Sequence, residues 1–122
     1  MGKAPAKRRP KPRRPASRLS RGLLLGLLPL VAVALVWLAW TTAQERMWRD
    51  LRDAGHRAYQ RGSYDYAQRI YREALQQAEA LDPTGRRVVL SLQDLGRLYE
   101  ARGLSDSAAL VRQQALSIER GP

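Results

Sequence analysis

The feature that most constrains this chain is a spacing. Gly55, Gly62, Ala67 and Ala74-Leu75 return as Gly96, Gly103, Ala108 and Ala115-Leu116, each partner 41 residues further on. An offset held at every one of these positions argues for two copies of one helix-pair unit stacked side by side, not for a single globular core with a catalytic cleft. Apolar residues step at helical intervals through both copies: Leu51, Ala54, Ala58, Tyr59; Ala67, Ile70, Tyr71, Ala74, Leu75, Ala78; Leu92, Leu95, Leu98, Tyr99; Ala108, Val111, Ala115, Leu116. Gly62-Ser63 breaks the first pair, Asp82-Pro83 followed by Thr84-Gly85 ends its second helix, and Gly103 marks the next turn. No strand-like alternation competes. The expected fold is all-α, with four helices in two hairpins behind one further apolar helix.

That further helix is the run from Gly22 to Trp40, GLLLGLLPLVAVALVWLAW, which carries no charge. At about 1.5 Å per residue it extends roughly 28 Å, close to the hydrocarbon thickness of a bilayer. Pro29 removes one backbone hydrogen bond and bends the helix, which membrane spans tolerate. Trp37 and Trp40 stand at the far end, where indoles favour the interface.

Charge orients the span. Residues 1–21 hold nine basic side chains (Lys3, Lys7, Arg8, Arg9, Lys11, Arg13, Arg14, Arg18, Arg21) and no acid, whereas only Arg46, Arg49 and Arg52 lie within fifteen residues on the other side. The positive-inside rule then puts the N-terminus, with Arg18 and Arg21 at the interface, in the cytoplasm, and everything after Trp40 in a periplasm or equivalent lumen. A cleaved signal peptide is the competing reading, with Thr41-Thr42-Ala43 as a poor cleavage site; the apolar run exceeds the 7–15 residues such segments use. The expected organisation is a basic tail (1–21), a membrane helix (22–40), a helical connector (41–47), and two repeats (48–83 and 84–122). The connector TTAQERM has neither Pro nor Gly, so the membrane helix is expected to run on into the first repeat as a stiff stalk.

The tail contains Pro5, Pro10, Pro12 and Pro15 and little apolar mass, so in isolation it should be disordered or polyproline-like. Its partners by charge are the bilayer itself through anionic lipid headgroups, each basic residue contributing on the order of 1 kcal/mol, or an acidic cytoplasmic protein. Nucleic acid is disfavoured, since no aromatic interleaves the basic run to stack on bases.

Catalysis is a poor fit. There is no cysteine, and His56 is the single histidine. Asp50 and Asp53 lie near it without a nucleophile or metal-ligand spacing, and no Gly-rich phosphate loop occurs. No metal or cofactor is expected, and the chain is read as a non-enzyme.

The stretch DLRDAGHRAYQRGSYDYAQRIYREAL resembles a tetratricopeptide repeat through Leu51, Ala54-Gly55, Ala58-Tyr59, Gly62, Tyr64, Ala67, Tyr71 and Ala74. LSLQDLGRLYEARGLSDSAALVRQQALSIERG resembles a second copy through Leu92, Leu95-Gly96, Tyr99, Gly103, Ala108 and Ala115. The period exceeds the usual 34 residues, as in the extended kinesin-light-chain-like variant. Ser105 stands at the position of Tyr64 and Arg112 at that of Tyr71, which makes the second copy the more polar, as a terminal repeat is. The resemblance implies a short α-solenoid whose first helices form a concave protein-binding surface, with Arg52, His56, Tyr59, Gln93, Arg97 and Glu100 as candidates. Tyr59, Tyr71, Leu75, Leu92 and Tyr99 are expected to fill between hairpins. Two repeats are fewer than the three usually needed for a continuous core, so a partner subunit or a second copy is expected to complete the stack. The function expected is a membrane-anchored adaptor or accessory subunit of a membrane complex. The alternative is a tether whose basic tail binds nucleic acid, anionic lipid or an acidic partner, with the repeats mediating oligomerisation.

Overall fold

A computed structural model describes residues 2–5, 10 and 16–121, the side chains of residues 16–19 excepted. Most of the basic tail, and the side chain of Arg18, therefore lie outside the described residues. Four helices make up the described chain: α1 (Ala16–Gln60), α2 (Tyr64–Leu81), α3 (Arg86–Ala101) and α4 (Ser105–Arg120). No strand occurs among the described residues. The chain divides into two compact units, Met1–Trp37 and Leu38–Pro122.

In the first unit, α1 begins at Ala16, inside the segment expected to lack helix, directly after the last tail proline. Extending an established helix costs far less than nucleating one, so the apolar run propagates backwards through Arg21 and Ser20 to Ala16. The helix continues through Pro29. Leu23, Leu24, Leu25, Leu27, Leu28, Leu30, Val31, Val33, Leu35, Val36 and Trp37 are all exposed, on every side of the helix. A helix apolar all round is stable only when something apolar surrounds it. This one contains an 18-residue window of mean hydropathy 2.5, none of it buried, and is long and apolar enough to cross a membrane.

In the second unit, the end of the apolar run is closed by Thr41 and Thr42, whose hydroxyls donate to the carbonyls of Leu38 and Ala39, both at 2.9 Å. Trp40 remains exposed. The later part of α1 then packs with α2, α3 and α4 around two apolar clusters. Trp48, Ala74, Ala78, Val88, Val89, Leu92 and Ala115 form one; Ala58, Ala67, Tyr71, Leu95, Leu98, Tyr99 and Ala108 form the other. The buried stripe of α2 is Ala67, Tyr71, Ala74 and Ala78, at steps of three and four, and its small side chains let neighbouring helices approach closely. Helix α3 is the most enclosed element, burying residues on nearly all its faces, while α4 buries only Ala108 and Ala115. Of the expected filling residues, Tyr71, Leu92 and Tyr99 are buried, and Tyr59 and Leu75 are half-buried against the clusters.

The 41-residue offset reappears in the hydrogen bonds. At the end of α1 the Gly62 amide donates to the Tyr59 carbonyl (3.0 Å) and the Ser63 amide to that of Ala58 (2.9 Å); at the end of α3 the Gly103 amide donates to Glu100 (2.9 Å) and Leu104 to Tyr99 (2.8 Å). Both are Schellman caps, which require a left-handed residue at the turn. Gly62 has φ +75° and Gly103 φ +73°. The turn between α2 and α3 is of another kind. There the Thr84 amide donates to Asp82 Oδ1 (3.2 Å) and the Gly85 amide to the Asp82 carbonyl (3.1 Å), so the Asp side chain stands in for a backbone acceptor.

Candidate partner-binding cleft

Helices α1 and α3 stand side by side, joined by polar groups that the apolar pattern does not announce. Trp48, nearly fully buried, donates its indole N–H to Ser91 Oγ at 3.0 Å. The guanidinium of Arg52 lies 5.1 Å from the Trp48 ring, and that of Arg87 lies 6.0 Å away, both in range of a cation–π attraction. One turn further along, Arg52 Nε donates to Asp94 Oδ2 at 2.6 Å. The Asp94 side chain is 1% exposed and that of Arg52 21%, so this is an ion pair between helices at the edge of the core.

Beside that pair lies a cleft of about 60 Å³ lined by His56, Tyr59, Tyr71, Asp94 and Arg97. His56 Nε2 stands 3.3 Å from Asp94 Oδ1. The two atoms are close without the alignment of a hydrogen bond, and neither has another partner. The His56 ring meets Tyr71 edge-on, with centroids 5.6 Å apart. Burial, and then the Asp94 carboxylate, push the Tyr71 hydroxyl up to about 12; Arg52 and Arg97 pull the other way. Tyr71 is therefore a neutral wall at physiological pH. Tyr59, half-buried, leans on Tyr64 with centroids 5.5 Å apart.

Of the six residues singled out by sequence, His56, Tyr59 and Arg97 line this cleft, and Arg52 holds its floor through Asp94. Gln93 is half-buried on α3. Glu100 is directed elsewhere, to an ion pair with Arg112 of α4. Trp37, Trp40 and Arg21 are exposed on α1. Sequence reasoning passed over Asp94, Ser91 and Trp48. The signal was there for Asp94: Asp53 precedes Gly55 by two residues and Asp94 precedes Gly96 by two, so the acid belongs to the repeat, yet only the second copy has a helix laid against it.

No cluster of three His, Asp or Glu side chains able to hold a metal occurs among the described residues. Comparison with protein-family models, with curated proteins and with solved structures gave no match.

Proposed function

We propose that this chain is a membrane-anchored adaptor, an accessory subunit whose repeats bind a segment of another protein on the α1–α3 face. The observation that carries the reading is the 41-residue repetition, which extends from residue types to the capping hydrogen bonds of both turns. A scaffold repeated in this way spends its chain on presenting a surface rather than on building an enclosed reaction centre. Tetratricopeptide-like hairpins, a cytoplasmic basic tail and extracytoplasmic repeats complete the proposal. Arg97 and Tyr59 supply side chains of the kinds enriched where binding energy concentrates, each ending in a planar group that can stack and hydrogen-bond.

The test has two parts. Alkaline carbonate should leave the full-length chain in the membrane pellet. Photo-crosslinkers placed at Tyr59 and Arg97 should trap one and the same polypeptide in native membranes, and an Arg97→Glu change introduced beside the Tyr59 probe should weaken its capture, while a probe at Leu110 on α4 traps none. Equal capture from both faces, or no capture from either, refutes the adaptor reading.

A further inference from the structure

A second and larger cleft, of about 430 Å³, opens between α1 and the turn that leads into α3, lined by Arg49, Arg86 and Arg87 together with Glu45, Asp82 and Trp48. Its guanidiniums are within reach from outside: Arg86 is exposed, and the side chains of Arg49 and Arg87 are 63% and 36% accessible. Glu45 is shared, pairing with Arg49 and standing 3.6 Å from Arg87. Asp82 accepts from Thr84 within its own turn, and Arg86 has no ion-pair partner among the described residues. Three guanidiniums against two carboxylates leave the lining with one net positive charge. The Arg87 guanidinium lies 6.0 Å from the Trp48 ring, which steadies it, so less freedom is lost when it takes a further partner.

The place of the cleft along α1 points to its occupant. Glu45 follows Trp40 by five residues on the same helix and in the same compact unit, which at about 1.5 Å per residue puts it roughly 7.5 Å past the end of the apolar run. The contact between Glu45 and Arg87 brings the start of α3 to the same level. A headgroup layer is roughly 5–7 Å deep on each side of the hydrocarbon, and arginine stems extend far enough to dip into it. On the reading of α1 as a membrane span, we propose that this cleft binds the phosphodiester of a membrane phospholipid, in the leaflet where the apolar run ends, giving the repeats a second hold on the bilayer.

Charge and position together select this group. A phosphodiester carries a single negative charge, which cancels the net charge of the lining, and its two free oxygens match the paired N–H donors of a guanidinium. A neutral lipid headgroup leaves the positive charge of the lining uncompensated. A cationic group meets repulsion. Free phosphate has the same oxygens, but a lipid is confined to the layer that the arginines reach, and confinement raises its effective concentration without any new contact.

The test places the full-length chain in nanodiscs of digalactosyldiacylglycerol, a bilayer lipid without phosphate. A trace of one of two probes is added, phosphatidylethanolamine or diacylglycerol, each with the same diazirine on its polar end. After photolysis the labelled peptides are mapped by mass spectrometry. The phosphate-bearing probe should label residues 45–49 and 84–90 about tenfold more than the phosphate-free one, the worth of one charge-assisted contact. Arg86→Glu turns the net charge of the lining from one positive to one negative and should bring labelling down to the phosphate-free level. An acid in the first turn of a helix is favourable, so this change spares the fold, and an unshifted melting curve checks it. Arg61→Glu makes the same change in total charge at an exposed residue just past the far end of α1, and should leave the labelling as it was. Equal labelling by the two probes, or labelling indifferent to Arg86→Glu, shows mere nearness to the bilayer and overturns the assignment. Displacement of the probe by excess inorganic phosphate makes the occupant a free anion, and a polypeptide trapped by a photo-crosslinker at position 86 in native membranes makes it a protein; either result overturns the lipid assignment. If alkaline carbonate releases the chain, the membrane span and this inference fall together; if the chain stays in the pellet while the two probes label equally, this inference falls alone.

Discussion

Gly55 and Gly96 are equivalent by the 41-residue offset, yet alanine should have opposite effects at the two. A Cβ at Gly55 would lie 2.6 Å from Tyr71 Cδ1 and 3.2 Å from its Cζ, well inside van der Waals contact. The ring has little freedom to move: it is 3% exposed and braced on another side by His56. Forcing a methyl into such packing costs about 1–3 kcal/mol, against which the helix regains about 1 kcal/mol when Gly becomes Ala. With a braced aromatic as the obstacle the upper half applies, so Gly55→Ala should destabilise by about 1–2 kcal/mol. At Gly96 the nearest atoms are Val111 Cγ2 at 3.5 Å and Arg112 Cγ at 3.6 Å, ordinary contacts. Only the propensity gain remains, and Gly96→Ala should stabilise by up to about 1 kcal/mol. For a unit of this size the melting temperature should fall by about 5–10 °C in the first variant and rise by about 4–8 °C in the second. Trp48 reports the transition by fluorescence once Trp37 and Trp40 are replaced by Phe in the parent and in every variant compared with it. Adding Tyr71→Leu to Gly55→Ala should recover about 1 kcal/mol or more relative to the sum of the single changes. If Gly55→Ala stabilises as Gly96→Ala does, or if the Tyr71 change is strictly additive, the close approach of α1 to Tyr71 is wrong.

Three further outcomes follow from the same contacts. Asp94→Ala strands Arg52 and should cost about 3 kcal/mol, the lower end for breaking a buried pair because Arg52 keeps some solvent, whereas Asp53→Ala, at the equivalent but exposed position, should stay within about 0.5 kcal/mol in urea titrations. Raising the Tyr71 hydroxyl from 10.0 to about 12 means the folded state keeps a proton the unfolded chain has lost. Its stabilisation is therefore complete below pH 10 and disappears as pH climbs to 12, by about 3 kcal/mol in all, and Tyr71→Phe should flatten that part of the stability curve relative to the parent. Alanine at Gly62 or at Gly103 should each cost about 1–2 kcal/mol, and by similar amounts, because both hold the left-handed cap position; a difference larger than that between them in chemical denaturation would show that the two turns are not equivalent.

What the sequence made legible was whatever repeats along the chain. Gly62 and Gly103 marked turns because a left-handed cap leaves almost no alternative to glycine, and Asp82-Pro83 marked a helix end because proline cannot continue one. Gly22 to Trp40 declared itself by the absence of charge. Contacts between elements far apart in sequence were legible only in outline. The indole of Trp48 and the hydroxyl of Ser91 carry no periodic signature; they became partners because α3 comes to lie beside α1. Asp94 was hidden for a related reason. An acid on a helix reads as solvated surface, and at the equivalent Asp53 it is exposed. The start of α1 at Ala16 was missed because a proline-rich, charged neighbourhood masks how cheaply a long helix extends itself.

Comparing the two copies position by position separates scaffold from site. Where the copies agree at Gly62 and Gly103 the residue forms a left-handed cap, and at Ala67 and Ala108, Ala74 and Ala115 it is a small buried side chain, demands that both copies meet, whereas Gly55 and Gly96 agree in residue type while only Gly55 meets a close neighbour. Where they differ, the demand is local. Arg52 faces Gln93 in the alignment, His56 faces Arg97, and Tyr59 faces Glu100. His56 and Arg97, equivalent in register and different in chemistry, converge on one cleft because α1 and α3 are neighbours. Tyr71 and Arg112 differ in the same way: the first is covered and forms the wall of the cleft, while the second closes the outer surface by pairing with Glu100. The repeat therefore sets the distance between helices, and the departures from it decide what that distance holds. In a chain made of two identical copies of the first, position 97 would be a histidine and position 100 a tyrosine, so the guanidinium that now lines the cleft beside His56 would be gone.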